Sequence, residues 1–390
     1  MKKRFILISV ALILLLGILC GSVCAADASE DAAVETTVSL DLACKSAILM
    51  DAATGTVLYE QNADEALPPA SVTKIMTLLL VMEAIEEGHI KLDDMVSTSA
   101  HAASMGGSQI FLKEGEQMCV EDLIKSVVIA SANDAALALA EHVAGSEESF
   151  VTRMNARANE LGMKNTHFEN TNGLDDTVEN HVTSARDIAI MSAELIRHDK
   201  ILEYSGIWMD TIRNGAFGLT NTNRLVRFYK DATGLKTGST AKAKFCVSAT
   251  AKRDGMHLIC VIMGAETRDS RNAIATKLLD YGFANYSLFY AEGKALEEIK
   301  VLGGMENSCG VSYDEFGCIV PKGTANKVRS ELQLSESIAA PVEKGTEVGK
   351  IIYKIEDRIL GEAPIRTTEQ IEKIGYWDLL LRMLAAAVLK

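Results

Sequence analysis

The chain has 390 residues, of which 48% are hydrophobic, 24% are charged and 5% are aromatic. This ordinary globular composition excludes a disordered or fibrous protein, and the length favours two domains over one. The formal net charge of −14 argues against a nucleic-acid-binding protein, because phosphate binding requires a basic surface and no lysine- and arginine-rich run occurs.

The N-terminus has the three parts of an export signal. Residues 2–4 are basic, residues 5–19 form an apolar segment, and residues 23–25 supply a cleavage site. We therefore predict a signal peptide over residues 1–25 and an exported protein at the outer face of the bacterial cytoplasmic membrane. An uncleaved membrane anchor is the alternative, although the apolar run is short for a bilayer.

Residues 40–290 have the pattern of one domain, an antiparallel sheet with helices packed on it. Two short strands form a hairpin over residues 46–60, and a buried apolar helix from about Ser71 to Glu87 follows the break at Pro68 and Pro69. Later elements are predicted in chain order: helices at 120–130, 134–143, 149–161 and 185–196, a strand hairpin at 244–264, and a closing helix at 271–283.

The composition changes after about residue 292. Short alternating runs separated by Lys-Gly turns predict a small all-β domain over residues 292–366, without a catalytic constellation. Residues 367–390 predict an amphipathic helix. Its nearly charge-free part would be about 16 Å long, well short of the roughly 30 Å hydrocarbon core, so it should lie in the membrane interface with Trp377 at headgroup level. Docking on the protein's own surface is the alternative.

The cysteines and histidines form no metal motif. The spacing of Cys309 and Cys318 leaves open whether they form a disulfide in an exported protein. No C-x-x-C or H-E-x-x-H occurs, so we predict neither a metal nor a cofactor. Four other cysteines of the mature chain lie in apolar surroundings and are interpreted as small buried side chains: Cys44, Cys119, Cys246 and Cys260.

Ser71-Val72-Thr73-Lys74 places a hydroxyl and an amine on one face of a helix. Serine needs an adjacent base to become a nucleophile, and lysine is such a base only when burial or a second cation lowers its pKa. The helix start also offers free backbone N–H groups, which favour an oxyanion. We predict that Ser71 forms an acyl-enzyme with Lys74 as the base.

The S-x-x-K motif is weak taken alone, because a second copy lies at Ser239–Lys242. Likewise, Ser131–Asn133 has a twin at Ser270–Asn272, whereas Lys236–Gly238 occurs once. Order and context distinguish the copies. Ser71 opens a buried helix, Ser131 follows an apolar helix 60 residues later, and Lys236 enters a β run 105 residues after that. This three-part set is typical of β-lactamases and penicillin-binding proteins.

With these motifs the chain resembles the low-molecular-mass penicillin-binding proteins, the serine-type D-alanyl-D-alanine carboxypeptidases of peptidase family S11. The resemblance covers about residues 40–390, and it implies an α/β (α+β) β-lactamase- and transpeptidase-like catalytic domain, an all-β C-terminal domain and a membrane-anchor helix. Ser239 and Lys244 depart from the residues that many members have, without touching the chemistry. Further matching stretches are Asn165–Phe168, Asn172–Leu174, Thr183–Ala189, Gly234–Gly238 and Ala340–Gly349.

The resemblance also implies roles. Ser71 would attack the carbonyl between the two terminal D-alanines of a peptidoglycan stem peptide, Lys74 would take its proton, and Ser131 would relay a proton to the leaving D-alanine. The backbone N–H groups of Ser71 and Ser239 would form the oxyanion hole, and β-lactams would act as inhibitors. The residues implied to bind substrate are Asn133, Lys236, Thr237, Gly238, Ser239 and Arg271, the last of which is otherwise only a helix-start cation.

Two alternatives remain. A class A-like β-lactamase lacks support because no E-x-x-L-N stretch supplies the glutamate used for deacylation. A non-catalytic β-lactam-binding wall module is disfavoured by the three complete motifs. We interpret His167 and His181 as structural, and Asp175 with Asp176 as a solvated loop. The third stem-peptide residue, the balance of carboxypeptidase and endopeptidase activity, and the partner of the β domain stay open.

Overall fold

A computed structural model describes residues 40–176 and 178–388. The predicted signal peptide lies outside the described residues and stays a prediction. Within the described part, nine strands precede residue 266: β1 Ser46–Asp51, β2 Val57–Gln61, β3 Met95–Ser97, β4 Gln117–Cys119, β5 Met209–Ile212, β6 Phe217–Thr220, β7 Ala232–Thr240, β8 Lys244–Arg253 and β9 Met256–Ala265. Nine α-helices accompany them: α1 Lys74–Glu86, α2 Ala100–Ala103, α3 Val120–Ile129, α4 Asn133–Ala144, α5 Glu147–Glu160, α6 Ala185–Leu195, α7 Asp199–Ser205, α8 Leu225–Phe228 and α9 Arg268–Asn285.

Five strands form one antiparallel sheet in the order β2-β1-β9-β8-β7. Successive side chains of a strand point to opposite faces, and both faces of this sheet are covered. In β1, Ile48 belongs to a core shared with α1, α3, α4 and α6, whereas Leu49 belongs to a core shared with α9. The predicted antiparallel sheet with packed helices is confirmed, and the site lies at β7, on one edge of this sheet.

The helices before residue 290 begin and end close to their predicted positions, because their sequence signals are local. Ser146, Ser184 and Thr267 each cap a helix by accepting a backbone N–H with the side chain. Gly145 ends α4 in the left-handed conformation, at φ +82°. One start differs: residues 70–73 form a 3₁₀ turn, so the α-helix begins at Lys74 instead of Ser71.

Ten further strands follow residue 285 in the described part of the chain, in three small sheets with a core of their own. They pair antiparallel apart from β12 with β17, which is parallel. The strands are β10 Tyr286–Ala291, β11 Lys294–Ala295, β12 Ile299–Leu302, β13 Ser308–Cys309, β14 Val311–Tyr313, β15 Phe316–Pro321, β16 Arg329–Leu334, β17 Ser337–Ala339, β18 Glu347–Ile355 and β19 Arg358–Thr367.

The C-terminal helix, α10, spans Tyr376–Val388, so the prediction that it starts at residue 367 is wrong. Strand β19 runs to Thr367, and Ile371 then pairs with Val342. The backbone hydrogen bonds of this pairing compete with a helix, and residues 368–375 therefore belong to the β part. Among the residues that the structure describes, no helix has the length and apolarity needed to cross a membrane.

The six cysteines among the described residues are free thiols. Cys309 lies on β13 and Cys318 on β15, which are strands of different sheets. The open question of a disulfide between them is thereby answered in the negative for this structure. Cys246 and Cys260 are buried as predicted, whereas Cys44 and Cys119 are partly exposed.

Candidate active site

Lys74 is the centre of the site, and its side chain is fully buried. Its Nζ lies 2.9 Å from Ser71 Oγ, 2.6 Å from Asn133 Oδ1 and 2.9 Å from the backbone oxygen of Asn172. These three partners come from the 3₁₀ turn, the start of α4 and a loop before α6. The fold therefore brings together Ser71, Lys74 and Asn133 as the motifs predict.

The three partners of Lys74 suit a neutral amine. Asn133 Oδ1 and Asn172 O only accept hydrogen bonds, whereas the Ser71 hydroxyl can also donate one. A neutral amine has two N–H donors for the two oxygens and a lone pair that accepts the Ser71 proton. The arrangement therefore aims the basic electron pair of Lys74 at the serine.

Electrostatics favour the same protonation state. Burial lowers the pKa of Lys74 well below its usual value, because a charge is poorly stabilised away from water, and the positive charge of Lys236 lowers it further. The carboxylate of Asp134 opposes this effect. An amine that is neutral near neutral pH can act as a general base.

Ser131 and Lys236 form the second pair. Ser131 lies between α3 and α4 in the left-handed region, at φ +62°, a conformation that is costly for a residue with a side chain and is concentrated at functional sites. Lys236 Nζ donates to Ser131 Oγ at 2.8 Å and to the backbone oxygen of Thr237 at 2.8 Å. Burial, and then the charge of Arg271, lowers the pKa of Lys236 to about 7.

Strand β7 packs directly against the turn that carries Ser71. A Cβ on Gly238 would lie 2.8 Å from the backbone oxygen of Pro69 and 2.9 Å from the backbone nitrogen of Ser71. Only glycine allows this approach, so Gly238 brings Ser239 and the end of β7 beside the serine. Thr237, one residue earlier, donates its hydroxyl hydrogen bond to Thr222 Oγ1 at 2.8 Å.

Arg271 is buried in the first turn of α9, with 2% of its surface exposed. Its guanidinium donates to Asn272 Oδ1 at 2.9 Å and to the backbone oxygen of Cys246 at 3.4 Å. Burial lowers its pKa to about 10. Its charge acts on Lys236, so Arg271 contributes positive potential to the site, while its described hydrogen bonds go to other residues of the protein.

A loop over residues 169–175 was missed as part of the site. It supplies Asn172 O to Lys74, and Gly173 lies so close to the Ser71 turn that a Cβ would be 1.9 Å from the backbone oxygen of Ala70. Glu147 holds the loop by accepting from Thr171 N and Oγ1, at 3.1 and 2.9 Å. The glycine in the Asn172–Leu174 stretch was the sequence signal, but it does not reveal which segment it approaches.

His181 supports the same turn from behind. Its Nδ1 accepts from the backbone N–H of Glu169 at 2.9 Å, so the neutral ring carries its proton on Nε2, which lies 2.8 Å from Thr73 Oγ1. Burial lowers the pKa of His181 to about 4. Thr73 Oγ1 in turn donates to Ala70 O at 2.8 Å, and this chain fits the structural role predicted for His181.

The interpretation of the loop at Asp175 and Asp176 as solvated fits Asp176 and is wrong for Asp175. The Thr240 hydroxyl donates to the Asp175 carboxylate, and Lys242 Nζ donates to the Asp175 backbone oxygen at 2.8 Å. Lys242 belongs to the second S-x-x-K copy. That copy therefore ties the end of β7 to the loop that carries Asn172.

Comparisons with known proteins identify the family of the chain. The model of the D-alanyl-D-alanine carboxypeptidase family, peptidase S11, matches residues 31–267, and the model of the C-terminal domain of penicillin-binding protein 5 matches residues 285–373. The chain belongs to the S11 D-alanyl-D-alanine carboxypeptidase family. The predicted fold class is confirmed as well: a catalytic α+β part is followed by an all-β C-terminal part.

Alignments with individual relatives cover most of this chain. D-alanyl-D-alanine carboxypeptidase DacF of Bacillus subtilis is 44% identical over 89% of this chain and 91% of its own length. DacC of Escherichia coli is 36% identical, with 90% of both chains covered. The crystal structure of penicillin-binding protein 5 from Haemophilus influenzae superposes with a TM-score of 0.78 at 32% identity, over 87% of this chain and all of that one. This S11 family member is therefore a serine-type carboxypeptidase.

Proposed function

We propose that this protein removes the terminal D-alanine from peptidoglycan stem pentapeptides through an acyl-enzyme on Ser71. One observation carries the proposal: the buried Lys74 Nζ lies 2.9 Å from Ser71 Oγ while two obligate acceptors occupy its other hydrogen-bonding positions. A serine with a neutral amine beside it has the base that nucleophilic attack needs.

In the first step, Ser71 Oγ attacks the carbonyl carbon of the penultimate D-alanine, and its proton passes to Lys74 Nζ. The backbone N–H groups of Ser71 and Ser239 stabilise the oxyanion, since Gly238 lets the two segments meet. Asn133 holds Lys74 with one side-chain atom and donates to Gly106 O with the other, at 2.6 Å. It thereby orients the base during the transfer.

In the second half of acylation, the C–N bond breaks and the leaving D-alanine takes a proton from the Ser131 hydroxyl. Ser131 then regains the proton that Lys74 took from Ser71, so that Lys74 is neutral again before deacylation. Lys236 stays charged and holds the Ser131 hydroxyl across their 2.8 Å contact. Lys236, Thr237 and the positive potential of Arg271 attract the terminal carboxylate of the substrate. Water, activated by Lys74, then hydrolyses the ester and regenerates Ser71. A β-lactam also acylates Ser71, and the ester that it forms is hydrolysed slowly.

The domains and the C-terminal helix would place the active site outside the cell membrane. We propose that residues 40–290 form the D,D-peptidase domain, residues 292–366 an all-β domain that separates it from the cell membrane, and the C-terminal segment an interfacial anchor after export. The exposed apolar side chains of α10 support the anchor: Trp377 is 73% exposed and Leu381 64%. Such a helix is expected to bury its apolar face at the membrane surface.

The test uses the purified protein and a diacetylated tripeptide ending in D-Ala-D-Ala. Wild type should release free D-alanine and be labelled by a fluorescent penicillin, and Ser71→Ala should lose both activities. Release of D-alanine by Ser71→Ala would refute the assignment of the nucleophile. Rapid catalytic hydrolysis of penicillin by wild type, without D-alanine release, would favour a β-lactamase. Labelling without any turnover would favour a non-catalytic binding module.

A further inference from the structure

Thr222 joins the two substrate-facing segments of the site. It lies between β6 and α8, and its backbone N–H donates to the backbone oxygen of Ile129 at 3.0 Å, at the end of α3 and two residues before Ser131. On the other side, Thr237 Oγ1 donates to Thr222 Oγ1 at 2.8 Å. Thr222 is therefore in contact with both the Ser131 segment and β7.

The position of Thr222 is fixed by its two neighbours. Asn221 and Asn223 are buried, with 3% and 1% exposure. The Asn221 side chain donates to Ile207 O at 2.8 Å, and the Asn223 side chain donates to Gly234 O at 2.8 Å. Thr222 between them is only partly buried. The segment thus holds one partly exposed hydroxyl in a defined place beside Thr237.

The hydrogen bonds around this hydroxyl leave it a free proton. Each threonine hydroxyl has one proton to donate, and Thr237 uses its own on Thr222. Among the residues that the structure describes, the Thr222 hydroxyl accepts this bond and has no acceptor for its own proton. In this arrangement the Thr222 hydroxyl can donate to a ligand without breaking its bond with Thr237.

The cations of this region are engaged elsewhere. Lys236 Nζ donates to Ser131 Oγ and Thr237 O, and the Arg271 guanidinium donates to Asn272 and Cys246. Both cations supply positive potential. A bound carboxylate, however, loses hydrogen bonds to water and needs hydrogen-bond donors of the protein to replace them. The Thr222 hydroxyl is such a donor, one hydrogen bond away from Thr237, which follows Lys236 in β7.

We propose that Thr222 donates a hydrogen bond to the terminal carboxylate of the substrate and so contributes to the selection of peptides with a free C-terminus. The inference rests on the proposed function, because it concerns the same cleft. It adds a specificity-determining residue that none of the three catalytic motifs contains.

The experiment compares Thr222→Val, which keeps the shape and removes the hydroxyl, with wild type on two peptides. One is the diacetylated D-Ala-D-Ala tripeptide, and the other is its C-terminal amide. We expect kcat/KM of Thr222→Val to fall roughly 10- to 100-fold on the free acid, the loss expected for one hydrogen bond to a charged group. On the amide it should change less than about threefold. Thr222→Ser, which restores the hydroxyl, should recover the free-acid activity.

Two controls separate specificity from folding. Thr152→Val changes an exposed threonine on α5 and should leave both substrates unaffected. Thermal unfolding of Thr222→Val should match wild type within a few degrees. Equal losses on acid and amide would show that Thr222 only supports the fold of the cleft, and no loss on either would show that the carboxylate is bound without it. Each result would overturn the proposal.

A second readout does not depend on peptidase activity. The rate constant of acylation by benzylpenicillin, which has a carboxylate, is compared with that of its methyl ester. Thr222→Val should slow the acid selectively. If wild type released no D-alanine, the proposed function would fail, yet the selective effect on penicillin acylation would still support or overturn the role of Thr222.

Discussion

Lys236 Nζ lies 2.8 Å from Ser131 Oγ, although the two residues are 105 positions apart in the chain. This contact joins the edge strand of the sheet to the turn between two helices. It also places a second lysine close enough to Lys74 to lower its pKa. In the proposed mechanism the two lysines have different roles, because Lys74 accepts the serine proton whereas Lys236 supplies charge and holds the Ser131 hydroxyl.

Lys74→Arg should slow acylation severely although it keeps a basic side chain. An arginine guanidinium stays protonated at all accessible pH values and has no lone pair for the Ser71 proton. Loss of a general base corresponds to roughly a 10²- to 10⁴-fold lower rate, measured as the rate constant of labelling by a fluorescent penicillin. Lys252→Arg, at an exposed position, is the matched control. Acylation of Lys74→Arg at a near-normal rate would exclude Lys74 as the base.

The pH dependence of kcat/KM on the D-Ala-D-Ala tripeptide should be bell-shaped. The acid limb reflects loss of the proton from Lys74, whose pKa lies well below its usual value. Lys236 is charged below its pKa of about 7 and neutral above it, so attraction of the carboxylate, and with it kcat/KM, should decrease as the pH rises through that value.

The variant Lys236→Arg tests the alkaline limb, because arginine keeps its charge. The larger arginine side chain disturbs the contact with Ser131, so kcat/KM of Lys236→Arg should be lower than that of wild type at every pH. The decrease near pH 7, however, should move to higher pH. An alkaline limb that is unchanged in Lys236→Arg would assign it to another group.

The rate of penicillin acylation should depend on the contact between Asp175 and Thr240. It ties the loop of Asn172 to the end of β7, so Asp175→Asn and Thr240→Val should each slow penicillin acylation. The double variant should be less impaired than the sum of both, with a coupling energy of about 0.5–3 kcal/mol. Asp176→Asn, at the exposed neighbouring position, should have no effect. Additive losses would mean that the contact plays no part.

Gly173→Ala should lower both stability and activity. Gly173 has φ +83°, and an added Cβ would lie 1.9 Å from the backbone oxygen of Ala70, so the loop must move away from the Ser71 turn. Gly55→Ala is the matched control, since Gly55 also has a positive φ, +68°, but nothing within 4 Å of the added atom. In urea unfolding, Gly55→Ala should cost about 1 kcal/mol and Gly173→Ala clearly more. Equal costs would contradict the close approach.

Deletion of residues 376–390 should release the protein from membranes without lowering activity on a soluble peptide. The cut begins at α10 and spares Ile371, which pairs with Val342 in the β part. Replacement of the exposed Leu381 and Leu384 by aspartate should have the same effect as the deletion, because it removes the apolar face. Continued sedimentation of the truncated protein with vesicles would exclude α10 as the anchor.

Much of the fold was predictable because its signals are local. Caps such as Ser146 and Ser184, the glycine that ends α4, and the apolar runs of β8 and β9 lie in the segments that they define. The predicted start of the last helix failed for a non-local reason. Apolar periodicity suggested a helix from residue 367, but Ile371 and Lys373 pair with distant segments, so the helix starts only at Tyr376.

By itself, the sequence determined which Ser-x-x-Lys copy to propose as the catalytic one, since only Ser71 leads into a buried apolar helix ahead of Ser131 and Lys236. Only the tertiary structure decided what lowers the pKa of Lys74 and what orients its amine. Burial of Lys74, the backbone oxygen of Asn172 and the charge of Lys236 come from segments far apart in the chain. A pKa depends on all the charges and dipoles around a group in space, and neither motif nor spacing records them.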